Sequence, residues 1–207
     1  MLTTPPCASL HRRQPEARDG RCEGQGIIYN SLFPGLGYGP QRRMSLTLSI
    51  DELLRYSAQE RDTWRRWLRA NPAAIEAPVQ PGGRFATVGK LIDHIFLVER
   101  RHLQRLRQQP LANATGLTGN NAPPLFDYGA SVRREMEQFI RSLEDHEIDE
   151  IRTIDVRDQQ WPISPRKLLF HILLHEIRHW AQIALAVRLG GFEPPGDHDL
   201  FFSHALK

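Results

Sequence analysis

The chain has 207 residues, 40% of them hydrophobic and 25% charged, enough apolar content for one packed domain with an extension. It holds no run of about 18 apolar residues, so no membrane span is expected, and its first residues lack the continuous apolar segment of a secretory signal. Residues 1–43 carry six of the 27 Lys and Arg and three of the 24 Asp and Glu, which leaves 21 of each sign beyond them. The basic balance is thus a property of the extension, and no nucleic-acid partner is expected for the rest.

Both cysteines, Cys7 and Cys22, also fall in residues 1–43. The body therefore has neither a disulfide framework nor a catalytic cysteine, which fits a reducing compartment and makes a cytoplasmic location the expectation. Pro5-Pro6, Pro34-Gly35 and Gly37-Tyr38-Gly39-Pro40 break any helical or strand period in this stretch. It reads as a disordered extension. Met44 follows Arg42-Arg43 and immediately precedes the first periodic segment, so Met44 is the expected natural start, with a body over residues 44–207.

The first helix is expected from Ile50 to Leu68. Ser49 suits the N-cap, and Asp51 and Glu52 suit the first turn. Ile50, Leu53, Leu54, Ser57, Trp64, Trp67 and Leu68 keep the helical period, and Asn71-Pro72 ends it. The second helix starts at Thr87 and runs to about Gln108. Val88, Leu91, Ile92, Ile95, Val98 and Leu103 form its apolar stripe. His94 lies on that side, and Glu99 and His102 lie near the same seam. Residues 111–124 read as a long loop, either mobile or part of a site.

A third helix is expected from Phe126 to Asp145, with Val132, Met136, Phe139, Ile140 and Leu143 inward. Residues 151–157 alternate weakly and predict a short extended arm or hairpin. Ser164-Pro165 opens a fourth helix that reaches Leu189, and Gly190-Gly191 stops it. In the tail, Leu200, Phe201 and Phe202 are expected to pack back over the end of the bundle. Four amphipathic helices with little strand signal predict an all-α fold, a four-helix bundle. The long second connection allows a topology other than up-down.

The fourth helix carries His171, His175 and His179. Four residues advance a helix by about 6 Å, so adjacent members stack on one face and two can reach one metal ion. His171 and His179 are too far apart along the axis to share one. Spacing alone does not decide between His171/His175 and His175/His179. Bundles build metal sites from side chains on facing helices, which makes His94 the candidate third ligand. Three neutral imidazoles form an open site. Zn²⁺ is the first expectation, and Ni²⁺, Fe²⁺ and Co²⁺ also suit imidazole.

His175-Glu176-Ile177-Arg178-His179 also matches the H-E-x-x-H pattern of zinc metalloproteases. However, Leu185 stands where one large class places its third histidine, and only Glu193 lies downstream as an acidic ligand. A residue directly after a ligand histidine points about 100° away from it, so Glu176 is expected beside the site rather than as the protease base.

Thr87…Leu91-Ile92-Asp93-His94-Ile95…Glu99, then His175 to Ile183, then Gly190-Gly191…Pro194-Pro195…Asp199-Leu200 resemble the DinB/YfiT-like superfamily over residues 46–203. The resemblance implies a four-helix bundle and a metal held by His94, His175 and His179, with His171 as an accompanying histidine. Gln182 stands at the glutamine that often follows the last ligand, and Trp180-Ala181 replaces the common Arg-Gly. Some members of the superfamily are thiol-S-transferases or thiol-dependent isomerases, in which the metal holds a low-molecular-weight thiol as thiolate.

Three functions are consistent with these features. The first is a metal-dependent transferase that activates a small-molecule thiol towards an electrophile, with Arg178, Arg101 and Arg152 as candidates to grip the thiol. The second is a metal-dependent hydrolase, with Glu176 or Asp93 as base. The third is a non-enzymatic, stress-related or partner-binding helical protein with a structural metal. Apolar stripes on such bundles commonly pair, which makes a homodimer plausible.

Overall fold

The computed structural model describes residues 47–79, 83–196 and 198–206. The expectations for residues 1–43 and for a start at Met44 lie outside the described residues.

Helix α1 spans Ile50–Ala70. Ser49 Oγ accepts from the Glu52 amide at 3.2 Å, and Glu52 Oε2 accepts from the Ser49 amide at 2.7 Å. This reciprocal cap satisfies amides that no helical carbonyl reaches. A 3-10 turn at Pro72–Glu76 follows. Helix α2 spans Val88–Leu106, and Thr87 caps it through the Lys90 amide. Helix α3 spans Ala122–Ser142 and so begins four residues before the expected Phe126. Pro123 and Pro124 sit in its first turn, where a missing N–H costs nothing. A four-residue helix α4, Asp145–Ile148, was not expected.

The alternating segment is a hairpin. Strand β1, Arg152–Val156, pairs antiparallel with strand β2, Gln159–Ile163, in the register Arg152↔Ile163 and Ile154↔Trp161. Two residues turn the chain, Arg157 at φ 54° and Asp158 at φ 59°. Both are left-handed, as the twist of a two-residue hairpin requires. Helix α5, Pro165–Leu189, follows at once, capped by Ser164 onto the Lys167 amide.

The long helices pack α2 against α5 and α3, and α1 against α5 and α3. They share two apolar clusters. One holds Trp64, Ile92, Phe96, Phe126 and Trp180, and the other holds Leu53, Leu103, Met136, Leu168 and Leu173. Trp180 stacks between Trp64 and Phe126 at centroid distances of 5.8 and 6.1 Å. Burying each such ring stabilises by roughly 2–3 kcal/mol. Helices α2 and α3 both run from the tryptophan cluster to the methionine cluster, and α1 and α5 run the other way. The connection between α2 and α3 must therefore travel the length of the bundle.

That connection is tied down on α2. Arg101 donates to the carbonyls of Ala112 at 2.7 Å and Asn113 at 2.8 Å, Gln104 accepts from the Ala112 amide, and Thr115 donates to Asp93. Gly89 lets the Gly119 carbonyl approach so closely that a Cβ would lie 1.7 Å from it.

The tail corrects one expectation. Leu200, Phe201 and Phe202 form a short 3-10 turn that faces outward, with Phe201 87% exposed. The residues flanking the turn hold the tail instead, through polar bonds to α1. Tyr56 donates to the His198 carbonyl at 3.4 Å, Ser203 donates to Gln59 at 2.8 Å, and Arg55 donates to the Ala205 carbonyl at 3.2 Å. With both ends fixed on α1, the three apolar side chains between them are left pointing away.

Candidate metal centre

Along each long helix, the residues between the two apolar clusters are charged. Arg61 on α1 lies between Ser57 and Trp64, and Glu99 on α2 between Phe96 and Leu103. Arg133 on α3 lies between Gly129 and Met136, and Glu176 on α5 between Leu173 and Trp180. All four are buried. Arg61 donates to Glu99 and, at 2.5 Å, to Glu176. Arg133 donates to Glu99 at 2.8 Å and to Glu176 at 2.7 Å. Two cations and two anions thus form one neutral layer in which each helix contributes a charge. Ser57 and Trp180 add bonds to Glu176 at 2.7 and 3.0 Å.

This layer shows where Glu176 points. Both its oxygens are fully engaged by donors from α1, α3 and its own helix, and the residue is 1% exposed. Burial alone would raise its carboxyl, but the guanidinium groups of Arg61 and Arg133 outweigh burial and hold it well below the usual range. Glu176 is an anchor of the core and has no lone pair left to act as a base at the histidines.

One residue earlier, α5 turns His175 the other way, towards α2. His94, His175 and His179 each offer a ring nitrogen, and the three nitrogens lie within 4.8 Å of one another. His179 Nε2 is 3.1 Å from His175 Nε2. The ring of His94 stands 5.3 Å from that of His175 and 5.2 Å from that of His179, centroid to centroid. Phe85 packs on His94 at 4.4 Å and closes one side. The three histidines named from the sequence meet across the α2–α5 seam.

The electrostatics keep these rings neutral. Burial pushes His94 down to about 4, with His179, Arg84 and Arg101 adding to the effect. Burial also pushes His175 down to about 3, helped by His179 and His94. His179 is lowered as well, chiefly by burial, although its bond to Gln182 acts in the opposite sense. Gln182 Oε1 lies 2.6 Å from His179 Nδ1. With the proton on Nδ1, that bond fixes the ring and leaves Nε2 as a lone pair directed at His175. Three neutral, converging imidazoles are the donor set that a divalent ion needs. Nitrogens about 2.0–2.1 Å from a tetrahedral Zn²⁺ stand roughly 3.3 Å apart, a spacing this cluster brackets.

His171 lies one turn away. Its ring is 5.7 Å from His175 and 5.3 Å from His102, and it takes no part in the cluster. Beside the histidines opens a cleft of about 850 Å³, walled by α2, the hairpin and the start of α5. Of the three arginines expected to grip a ligand, only Arg101 lines it. Arg152 is paired with Glu147 and Glu150, and Arg178 lines a smaller pocket along α5, of about 620 Å³, that shares Lys167, His171 and His175 with the cleft.

The sequence profile of the DinB family matches residues 44–205, well over half of the chain. The chain belongs to the DinB family. The match starts at the residue after Arg43 and covers every element described above. A search among curated proteins finds no match. Among the described residues, no helix is long and apolar enough to cross a membrane.

The sequence reading missed the charged layer, although the signal was present. Arg61, Glu99, Arg133 and Glu176 each interrupt an apolar stripe at helical spacing, and their charges sum to zero. It also missed the cleft, because the hairpin that walls it reaches α2 only through tertiary packing.

Proposed function

We propose that this DinB protein binds a divalent metal ion through His94, His175 and His179, and uses it to activate a low-molecular-weight thiol taken from solution. The observation that carries this reading is the convergence of three neutral ring nitrogens within 4.8 Å, at the edge of a cleft of about 850 Å³. A bound divalent ion would supply thiolate at neutral pH by lowering the pKa of a coordinated thiol. The chain's own residues have distinct tasks. Gln182 orients His179, Phe85 shields His94 from solvent, and the cleft receives the thiol and its reaction partner. No cysteine occurs after residue 43, so the sulfur belongs to a substrate.

The thiol reading is favoured over hydrolysis because, among the described residues, no carboxylate lines the cleft beside the histidines. Glu176 is locked in the charged layer, and Asp93 accepts from Thr115. Purified protein is expected to carry near-stoichiometric metal, zinc or nickel first. With that metal it should consume an electrophile such as monochlorobimane only when a thiol is added. Turnover of esters or amides without thiol would favour the hydrolase, and absence of metal would remove both readings.

A further inference from the structure

The cleft beside the histidines is lined by five cations, Arg84, Arg101, Arg105, Arg157 and Lys167, and by no acidic residue. Half of the described arginines outside the cleft are paired with a carboxylate, and the others, such as Arg66, Arg134 and Arg188, are scattered over different helices. Arg61, Arg65, Arg100, Arg107, Arg133, Arg152 and Arg166 each stand within ion-pair distance of a carboxylate. Among the described residues, none of the five cleft cations does.

Two of the five are nevertheless held in place. Arg101 donates Nε and Nη2 to the carbonyls of Ala112 and Asn113, and Arg105 donates Nε to the carbonyl of Asp155 at 2.9 Å. Backbone carbonyls fix the direction of a guanidinium without cancelling its charge, and the remaining N–H groups stay available. Arg105 is partly desolvated, and its pKa is lowered by burial first and by Arg101 second, with the nearby Asp155 acting in the opposite sense. Crowding like charges in this way is unfavourable unless an anion completes the site. Arg157 adds a third sign. It occupies a left-handed turn position that favours Asn or Gly, yet it carries a long cation on the cleft's rim.

The hairpin side adds apolar surface beside Arg157 and Gln159. Ile154, Val156 and Pro162 of the hairpin line the cleft, and Trp161 lines it while 51% exposed.

We infer that the cleft binds a small organic anion with at least two acidic groups, set against the cations, and an apolar portion laid on the hairpin around Trp161. This inference rests on the metal reading of the same site, because it names the class of molecule brought to the three histidines. Its chemistry comes from the cleft alone, so the two can fail separately.

The test is calorimetric titration of the full chain, metal-free and zinc-loaded, with benzylsuccinate, succinate and the neutral benzylsuccinamide. Benzylsuccinate is expected to bind more tightly than succinate, and the diamide not at all. Arg157→Gln/Lys167→Gln removes two cleft cations whose side chains make no hydrogen bond among the described residues. It should weaken benzylsuccinate by about tenfold or more while leaving thermal stability and zinc stoichiometry unchanged. Trp161→Ala should bring benzylsuccinate down to the affinity of succinate. Equal binding of acid and diamide, indifference of the double variant, or no uptake of either acid would overturn the inference. Uptake of the acids by protein that takes up no zinc would sustain the inference and sink the metal reading. Zinc uptake without the acids would do the reverse.

Discussion

His175 and His179 reach a common point because one helical turn separates them, and His94 reaches it because α2 packs directly on α5. His94→Ala is expected to reduce bound zinc from near-stoichiometric to a small fraction, with helical content unchanged, as read by elemental analysis and circular dichroism. His171→Ala should keep the metal, since its ring stands outside the cluster of nitrogens. Retention of metal in the first variant, or its loss in the second, would reassign the ligands. Gln182→Ala frees the His179 ring to turn, and zinc affinity measured by competition with a chelator should fall about 10–100-fold. The histidines were legible in the sequence because their spacing is local. Which pair faces inward depends on the packing of a second helix, and spacing alone left that open between His171/His175 and His175/His179.

At the level of elements, the charged layer decides what each helix can tolerate. Glu176→Gln leaves Arg61 and Arg133 buried with one anion between them, and removing one partner of a buried ion pair costs about 3–5 kcal/mol. Chemical denaturation should show that loss. A catalytic base would instead give a variant of normal stability and lost activity. Gly89→Ala tests the long connection, because its methyl group would fall on the Gly119 carbonyl. The cost is about 2 kcal/mol or more, and exchange protection of residues 111–121 should drop first. The helices were legible from capping residues and apolar period, with errors at their ends where Pro123 and Pro124 open α3 instead of preceding it. The outward turn at Phe201 was not legible. Apolar residues in a tail suggest burial, and only the bonds from Tyr56, Gln59 and Arg55 fix which side faces the helices.

For the body as a whole, pH dependence should be set by a third buried carboxyl. Glu60 on α1 is 2% exposed and faces the side of α1 where the tail docks, with His198 Nδ1 3.6 Å from its oxygen. Burial pushes its carboxyl up to about 8, and the nearby Glu176 and Asp199 push in the same direction. In the unfolded chain the group returns to its ordinary value near 4.5. The folded protein therefore holds a proton that the unfolded chain releases, and stability from this group is complete below about pH 4.5 and lost as pH rises through about 8. Glu60→Gln keeps the shape and removes the ionisation. The native protein should lose stability relative to this variant across that window, read as a falling difference in denaturant midpoint. Parallel curves would show that Glu60 is ionised in the folded state. Glu60 adjoins both the charged layer and the tail. Its ionisation places a further negative charge beside Glu176 and against Asp199, so the tail should loosen before the helices do. Earlier proteolysis after residue 190 at high pH, absent in Glu60→Gln, would locate the effect there.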